Sequence, residues 1–510
     1  MRQEIKALLL PAVLGVSVCN AQEAPQKNPN IVIIYVDDMG YGDLSCYGAT
    51  RVQTPNIDKL AENGVRFTDA HCSAATCTPS RYSLLTGSYA FRANASILKG
   101  DAPLIISEDA PTLPGMLQEN GYVTAVIGKW HLGLGDGNVD WNGKIAPGPL
   151  ERGFDYSFLI PATNDRVPCV LIENHHVLNL DPEDPIQVSY VEKIGTDPTG
   201  IENPELLRFA ADEQHSGTIV NGVSRIGWMS GGNSARWKDE KIPHQMLMKA
   251  RQFINENRNE PFFIYFSFPE PHVPRLPDYR FMGATELGPM GDVIVQVDWV
   301  TGQLVEYLEK LGLSENTLII FSSDNGPVLN DGYEDFSVEL LGNHKPAGPL
   351  RGGKYSAFEA GTRMPTIAYW PAVIKPKVSD ALFSQIDLYA SLASLVGHSL
   401  SGAEAPDSYD LLDVLTGRSE TGREILLKET PFTFSLRKGN YKYIRPIENL
   451  ARVRGIEEVK KIESGGSLEP QLYNLSLDIG EQNNIAPQNK QLANEMENMI
   501  QQILTDKQTR

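Results

Sequence analysis

Several short stretches of this 510-residue chain place reactive side chains at spacings that make chemical sense. Cys77-Thr78-Pro79-Ser80-Arg81 sets a thiol and a guanidinium one helical turn apart, ahead of Tyr82-Ser83-Leu84-Leu85-Thr86-Gly87. Pro79 and Ser80 suit a first helical turn, and in that reading Cys77 is only a small buried apolar residue. Asp37-Asp38 and Asp324-Asn325 are pairs of hard oxygen donors. Such donors suit Ca²⁺, and Mg²⁺ less well, and the chain has no Cys/His cluster at zinc spacing. Taken alone, Asp37-Asp38 reads equally well as a turn or a helix cap. Lys129 and His131 in Gly128-Lys129-Trp130-His131, His272 in Pro271-His272-Val273-Pro274 and Lys354 in Arg351-Gly352-Gly353-Lys354 supply ammonium and imidazole groups. Singly these are a solvated lysine, a structural histidine and a basic turn. Asp165-Arg166, in the loop Ile160 to Pro168, sets a carboxylate beside a guanidinium. At a surface that pair is worth little.

The elements that must position these groups are legible as strands. Asn30 to Val36 is an unbroken apolar, β-branched run, as expected of a strand buried on both faces, and it stops at Asp37-Asp38. Gly121 to Ile127 runs into Gly128-Lys129-Trp130-His131. Pro261 to Phe268 runs into Pro269-Glu270-Pro271-His272, and Leu318 to Phe321 into Ser322-Ser323-Asp324-Asn325-Gly326. Helical patterns cover His244 to Asn257 and Asp292 to Leu311. Strands alternating with helices predict an α/β fold with a parallel sheet, and in such sheets ligands bind beyond the carboxyl ends of the strands. Each strand delivers polar residues at that end, so in this fold Asp37, Asp38, Asp324 and Asn325 become a metal site. Pro147 to Lys241, rich in Pro, Gly, Asn and Asp, reads as long loops beside the pocket. From Arg423 onward short strands appear, Phe434 to Arg437 and Tyr441 to Arg445 around Lys438-Gly439-Asn440, followed by a helix over Asn489 to Leu504. The expected organisation is a signal segment at 1–21, a catalytic domain at 30–420 and a small α+β subdomain at 423–510.

Composition narrows the class. Hydrophobic content of 41% and charged content of 21% are those of a globular protein. A formal charge of -19 argues against nucleic-acid or anionic-membrane binding, so any anionic substrate must be held locally by a few Lys, Arg and His. Arg2 and Lys6, the apolar Ala7 to Val18 and the small-residue site Cys19-Asn20-Ala21 form a secretory signal pattern. The run is too short to span a bilayer, and Pro11 and Gly15 interrupt it. Val18 fits poorly before a lipid-bearing cysteine, so cleavage and a periplasmic or secreted location are expected over anchoring at Cys19. Cys46, Cys72, Cys77 and Cys169 make no dense disulfide framework, so the core must hold the fold.

Cys77-Thr78-Pro79-Ser80-Arg81-Tyr82-Ser83-Leu84-Leu85-Thr86-Gly87 resembles, position for position, the sulfatase signature C-x-P-S-R-x-x-x-L-T-G. Gly121 to His131 resembles the second signature, ending in G-K-W-H, and Arg351 to Lys354 the family's R-G-G-K run. Leu472-Tyr473-Asn474 to Asn484 resembles its C-terminal L-Y-x-L…D-x-x-E-x-x-N segment. The resemblance implies an alkaline-phosphatase-like α/β fold with parallel and mixed strands, flanked by helices, and a smaller C-terminal α+β domain. It implies that a maturation enzyme oxidises Cys77 to formylglycine, whose hydrate attacks sulfur and later expels sulfate. Asp37, Asp38, Asp324 and Asn325 would hold Ca²⁺, with the modified Cys77 completing the shell. Arg81 would hold the hydrate. Asp324 would assist deprotonation, His272 would protonate the departing oxygen and His131 would help regeneration, while Lys129 and Lys354 would bind sulfate. The loop carrying Asp165 and Arg166, with His215, resembles that of secreted bacterial sulfatases acting on sulfated galactose or N-acetylgalactosamine in mucins and glycosaminoglycans, often at O6. Asp165 and Arg166 would then read the axial O4. Three competing expectations are a sulfatase acting at O4 or another carbohydrate position or on aryl sulfates, an alkaline-phosphatase-like phosphomonoesterase or phosphonate hydrolase of the same fold, and an inactive secreted glycan-binding relative.

Overall fold

The computed structural model describes residues 28–510; the expected signal segment at 1–21, with Cys19, lies outside the described residues. Apolar, β-branched strands drive the fold. Asn30–Asp37 and Phe262–Pro271 are buried at every position, because a central strand of an α/β sheet is covered on both faces. They sit in the middle of a ten-stranded sheet. Its order is Lys377–Ser379, Val65–Phe67, Thr366–Tyr369, Thr317–Ser323, Asn30–Asp37, Phe262–Pro271, Val123–Lys129, Tyr156–Ile160, Ile172–Glu173, His176–Val177. The strands from Thr317–Ser323 to Tyr156–Ile160 run parallel, and antiparallel pairings on both sides make the sheet mixed.

Register decides what the sheet presents. Val36 lies beside Ser323 and Asp37 beside Pro271, so the polar residues that follow these strands meet at one end. Ser267 lies beside Gly128, which brings Lys129 to the same end. Helices Ile242–Asn257 and Pro289–Lys310 cover the sheet through residues such as Met246, Leu247, Ile294 and Leu304.

One expectation needs correction. The stretch from Pro147 to Lys241 is not loop throughout: Tyr156–Ile160 is a parallel strand, four of its five residues buried, extended by the short antiparallel pair Ile172–Glu173 and His176–Val177. Surrounding Gly, Asp and Asn residues obscured it.

After Arg423, strands Ile425–Glu429, Phe434–Lys438, Tyr441–Ile444 and Gln471–Asn474 form an antiparallel sheet. Helix Lys490–Thr505 packs on it, burying Ala493, Met496 and Ile500 against Leu427, Leu436 and Leu472. A further helix, Ala451–Lys460, was not expected; its face is polar, with Val453 as its buried residue. This C-terminal layer is fastened by buried charge to the short helical turns Glu359–Gly361 and Gln385–Asp387. Glu359 accepts from Lys428 at 2.5 Å and from Arg437 at 2.9 Å and lies 3.1 Å from Lys442, while Arg423 pairs with Asp387 at 2.5 Å.

Candidate active site

The signature segment folds as the helix Cys77–Thr86, all ten residues buried. Thr76, in extended conformation, precedes Cys77, so the thiol stands on the first turn, where unpaired backbone N–H groups favour negative charge. Gly87 ends the helix at φ 62°, and a Cβ there would lie 2.5 Å from the Cβ of Ala405, so the terminal glycine of the signature is required twice over. Thr78 Oγ1 donates to the His131 carbonyl at 3.0 Å, linking this helix to the strand that delivers Lys129.

The carboxylates converge. Donor oxygens of Asp37, Asp38 and Asp324 lie within 4.8 Å of one another, and Asn325 Nδ2 donates to Asp38 Oδ1 at 2.6 Å. Cations surround them: Lys129 Nζ is 2.5 Å from Asp37, Lys354 Nζ is 2.8 Å from Asp38, and Arg81 donates to Asp324 Oδ2 through Nε at 2.9 Å and Nη2 at 2.7 Å. Arg81 is therefore directed at the donor set, with Nη1 donating to Ser267 Oγ at 2.5 Å. Asp37 Oδ1 and Asn325 Oδ1 are buried without a hydrogen-bond partner, Arg81 Nη2 lying 3.7 Å from the former. Orphaned oxygens on an all-oxygen donor set fit a hard divalent cation such as Ca²⁺. Asp38, His131 and Tyr355 all have positive φ (63°, 55° and 69°), a conformation that costs a non-glycine residue on the order of 1 kcal/mol and gathers at functional sites.

The same neighbours set the ionisation. Burial, followed by repulsion from Asp324, pushes Asp37 well above the usual carboxylate range. Burial also acts on Asp324, but Arg81 and Lys129 outweigh it and hold its pKa low. Burial raises the Cys77 thiol, so the unmodified residue is a poor thiolate. His272 donates from Nδ1 to its neighbour's carbonyl, Val273 O, at 2.7 Å, which leaves Nε2 to titrate. Burial and then Lys354 push it down to about 4. His131 Nε2 donates to Leu98 O at 2.9 Å and its buried Nδ1 has no partner; burial and Lys129 hold this ring neutral.

Cys77, His272, Lys354, Asp165, Arg166 and His215 line one cavity of about 60 Å³. It adjoins a wider cleft of about 940 Å³, with Arg166, Gln214 and Tyr355 on the walls of both. Asp165 is 2% exposed and accepts from Arg166 Nη1 at 2.8 Å. His215 Nε2 lies 3.4 Å from its Oδ2, and His215 Nδ1 is 2.6 Å from Asp212. Burial favours a neutral Asp165, but Arg166, His215 and His272 together keep it strongly acidic. Sequence reasoning missed Asp331 and Lys460, which line the same cavity. Asp331 stands seven positions after Asp324, within reach of a careful search; no local signal marks Lys460.

The sulfatase family profile matches residues 29–398, and the chain belongs to that family. It is accordingly a sulfuric ester hydrolase. It is 49% identical over 506 residues to an N-acetylgalactosamine-6-O-sulfatase of Bacteroides thetaiotaomicron, covering 98% of each chain. It is 31% identical to human arylsulfatase A, covering 94% of this chain and 86% of the relative. A solved structure from work on glycosaminoglycan metabolism by Bacteroides thetaiotaomicron superposes with a TM-score of 0.92 at 50% identity, covering 94% of this chain and all of the other. A Pseudoalteromonas sulfatase superposes with a TM-score of 0.68 at 26% identity, over 95% of this chain and 92% of that one.

Proposed function

We propose that this protein removes the 6-O-sulfate of galactose or N-acetylgalactosamine units in host glycans such as mucin or chondroitin sulfate. The observation that carries the sugar assignment is the buried Asp165–Arg166–His215 group in the cavity that also holds Cys77. A carboxylate and a guanidinium side by side accept from and donate to one hydroxyl, and the axial O4 separates galacto from gluco sugars. The near-half identity to an N-acetylgalactosamine-6-O-sulfatase supports the same substrate class.

Formylglycine at Cys77 would supply a hydrated aldehyde as nucleophile, and Ca²⁺ held by Asp37, Asp38, Asp324 and Asn325 would supply positive charge toward sulfate oxygens. The chain's own residues divide the remaining work. Lys129 and Lys354 bind sulfate oxygens. Arg81 fixes Asp324, which takes the proton of the attacking hydroxyl, and it adds charge beside Cys77. His272 protonates the sugar oxygen from Nε2; an anionic ester beside it offsets Lys354 and raises its proton affinity. His131 accepts a proton at Nδ1 during regeneration. The reading includes cleavage of residues 1–21, export to the periplasm or beyond, a maturation enzyme acting on Cys77, and a catalytic domain of 30–420 followed by a subdomain of 423–510.

The test is a panel of monosaccharides differing in sulfate position and epimer. Release from 6-O-sulfated galactose or N-acetylgalactosamine, with gluco epimers slower by roughly 10⁴-fold, is the expected outcome. Equal rates on 6-O-sulfated N-acetylglucosamine, or preference for 4-O-sulfate, would overturn the assignment. Mass spectrometry of the Cys77 peptide is expected to show formylglycine; an unmodified cysteine in the native host would point to a glycan-binding role.

A further inference from the structure

Asp331 and Lys460 have no part in the chemistry above, yet both face the catalytic cavity. Their side chains are 6% and 11% exposed, and Lys460 Nζ lies 2.5 Å from Asp331 Oδ1. Asp331 Oδ2 accepts from Lys354 at 3.1 Å and lies 3.9 Å from His272 Nε2. Burial would neutralise Asp331, but Lys354 and Lys460 hold it ionised. Lys460 is the last residue of the helix Ala451–Lys460, and Asn330 Nδ2 donates to Val459 O at 2.9 Å, which holds the helix end against the loop bearing Asp331.

A carboxylate in a cavity built for sulfate repels the substrate's charge, so a structural strut is better made elsewhere. What an ionised carboxylate does well in such a place is accept a hydrogen bond from a neutral donor. The flanking ammonium carries three N–H donors, more than its pairing with Asp331 uses. The arrangement repeats the logic of Asp165–Arg166, from a different part of the chain. We propose that Asp331 and Lys460 form a second hydroxyl-reading pair for the same sugar, with one half contributed by the C-terminal part of the chain. This rests on the carbohydrate reading above.

The test uses the full-length matured enzyme and K460M, a near-isosteric change, with K460Q as a second variant if K460M folds poorly. Substrates are 6-O-sulfated N-acetylgalactosamine, its monodeoxy analogues and an aryl sulfate. Loss of kcat/KM on the saccharide should exceed loss on the aryl sulfate by roughly 10- to 100-fold, the range of one charge-assisted hydrogen bond. Wild type should be slowed by removal of one particular hydroxyl to which K460M is indifferent, the coupling expected of a direct contact. Equal losses on both substrates would make Lys460 a strut for Asp331 and Lys354 and overturn the proposal, as would unchanged kinetics. A wild type active on the aryl sulfate and silent on every sulfated sugar would overturn the carbohydrate reading itself, a distinct result.

Discussion

Cys77 is 2% exposed at the head of a buried helix, among Lys129, Lys354, Asp37 and Asp324. Cys77→Ala removes one sulfur atom from a polar cavity and leaves the helix contacts in place. Sulfate release should vanish while the melting temperature stays within a few degrees; retained activity would remove Cys77 from the nucleophile role. His272 makes a finer test. General acid catalysis contributes about 10²–10⁴-fold when the leaving group is a poor one. His272→Ala should therefore slow a sugar sulfate far more than an activated aryl sulfate, measured as the ratio of kcat values. Asp165→Ala and Arg166→Ala should each cut turnover of the galacto substrate without affecting Cys77 conversion, checked by peptide mass. Cys77 was legible because Cys77 to Gly87 is one contiguous signature, whereas His272, Asp165 and Arg166 carry little signal singly and were named through the family resemblance of the stretches that hold them. Asp331 and Lys460 were not, because their meeting depends on where two distant segments dock.

At the scale of elements, the strands that end in polar residues were readable from unbroken apolar runs, whereas Tyr156–Ile160 was hidden by turn-forming neighbours. The ionic cluster between the turn Glu359–Gly361 and the C-terminal strands was equally hidden, since its charges come from four separated segments. Glu359 there faces Lys428, Arg437 and Lys442, and His71 Nε2 lies 2.9 Å from Asp69. Glu359→Gln leaves buried Lys428 without a carboxylate partner, while Arg437 keeps Asp69 and Lys442 keeps Glu481; it should cost roughly 3–5 kcal/mol, read as a lowered melting temperature. The cluster also sets an acid limit. Burial, and then Lys428, push His71 from its ordinary 6.5 down to about 4. Its folded state is thus the neutral one: the stability is fully present above pH 6.5 and is lost as pH falls toward 4. The loss from this site reaches about 3 kcal/mol at about 1.4 kcal/mol per unit. Denaturation midpoints should fall over that window, and His71→Asn should flatten the slope; an unchanged slope would remove His71 as its source.

At the scale of the molecule, three carboxylates crowd together at the joint end of two neighbouring central strands, Asn30–Asp37 and Thr317–Ser323. An ion that binds the folded chain and not the unfolded one stabilises it by about 2.7 kcal/mol at a hundred times its dissociation constant. Chelation should accordingly lower both turnover and melting temperature, and Ca²⁺ should restore both. Restoration by Zn²⁺ alone would contradict an all-oxygen site. Among the described residues no helix is long and apolar enough to cross a membrane, and Cys46, Cys72, Cys77 and Cys169 are free thiols, so packing and ion pairs carry the structure.

The cavity's walls are drawn from residues 77 to 460, and the carboxylate cluster of the candidate metal site begins at residue 37. Chain order therefore becomes a matter of time. A growing chain emerges from its amino end at about 5–20 residues per second, so the first aspartates wait tens of seconds for the last lysine. Until then the sheet's strands can pair while the pocket stands open on one side. A chain cut short before Lys460 would keep the nucleophile position and the metal donors but lack a wall of its cavity. The arrival of Lys460, and not the appearance of the reactive residue, is what completes the wall of this cavity.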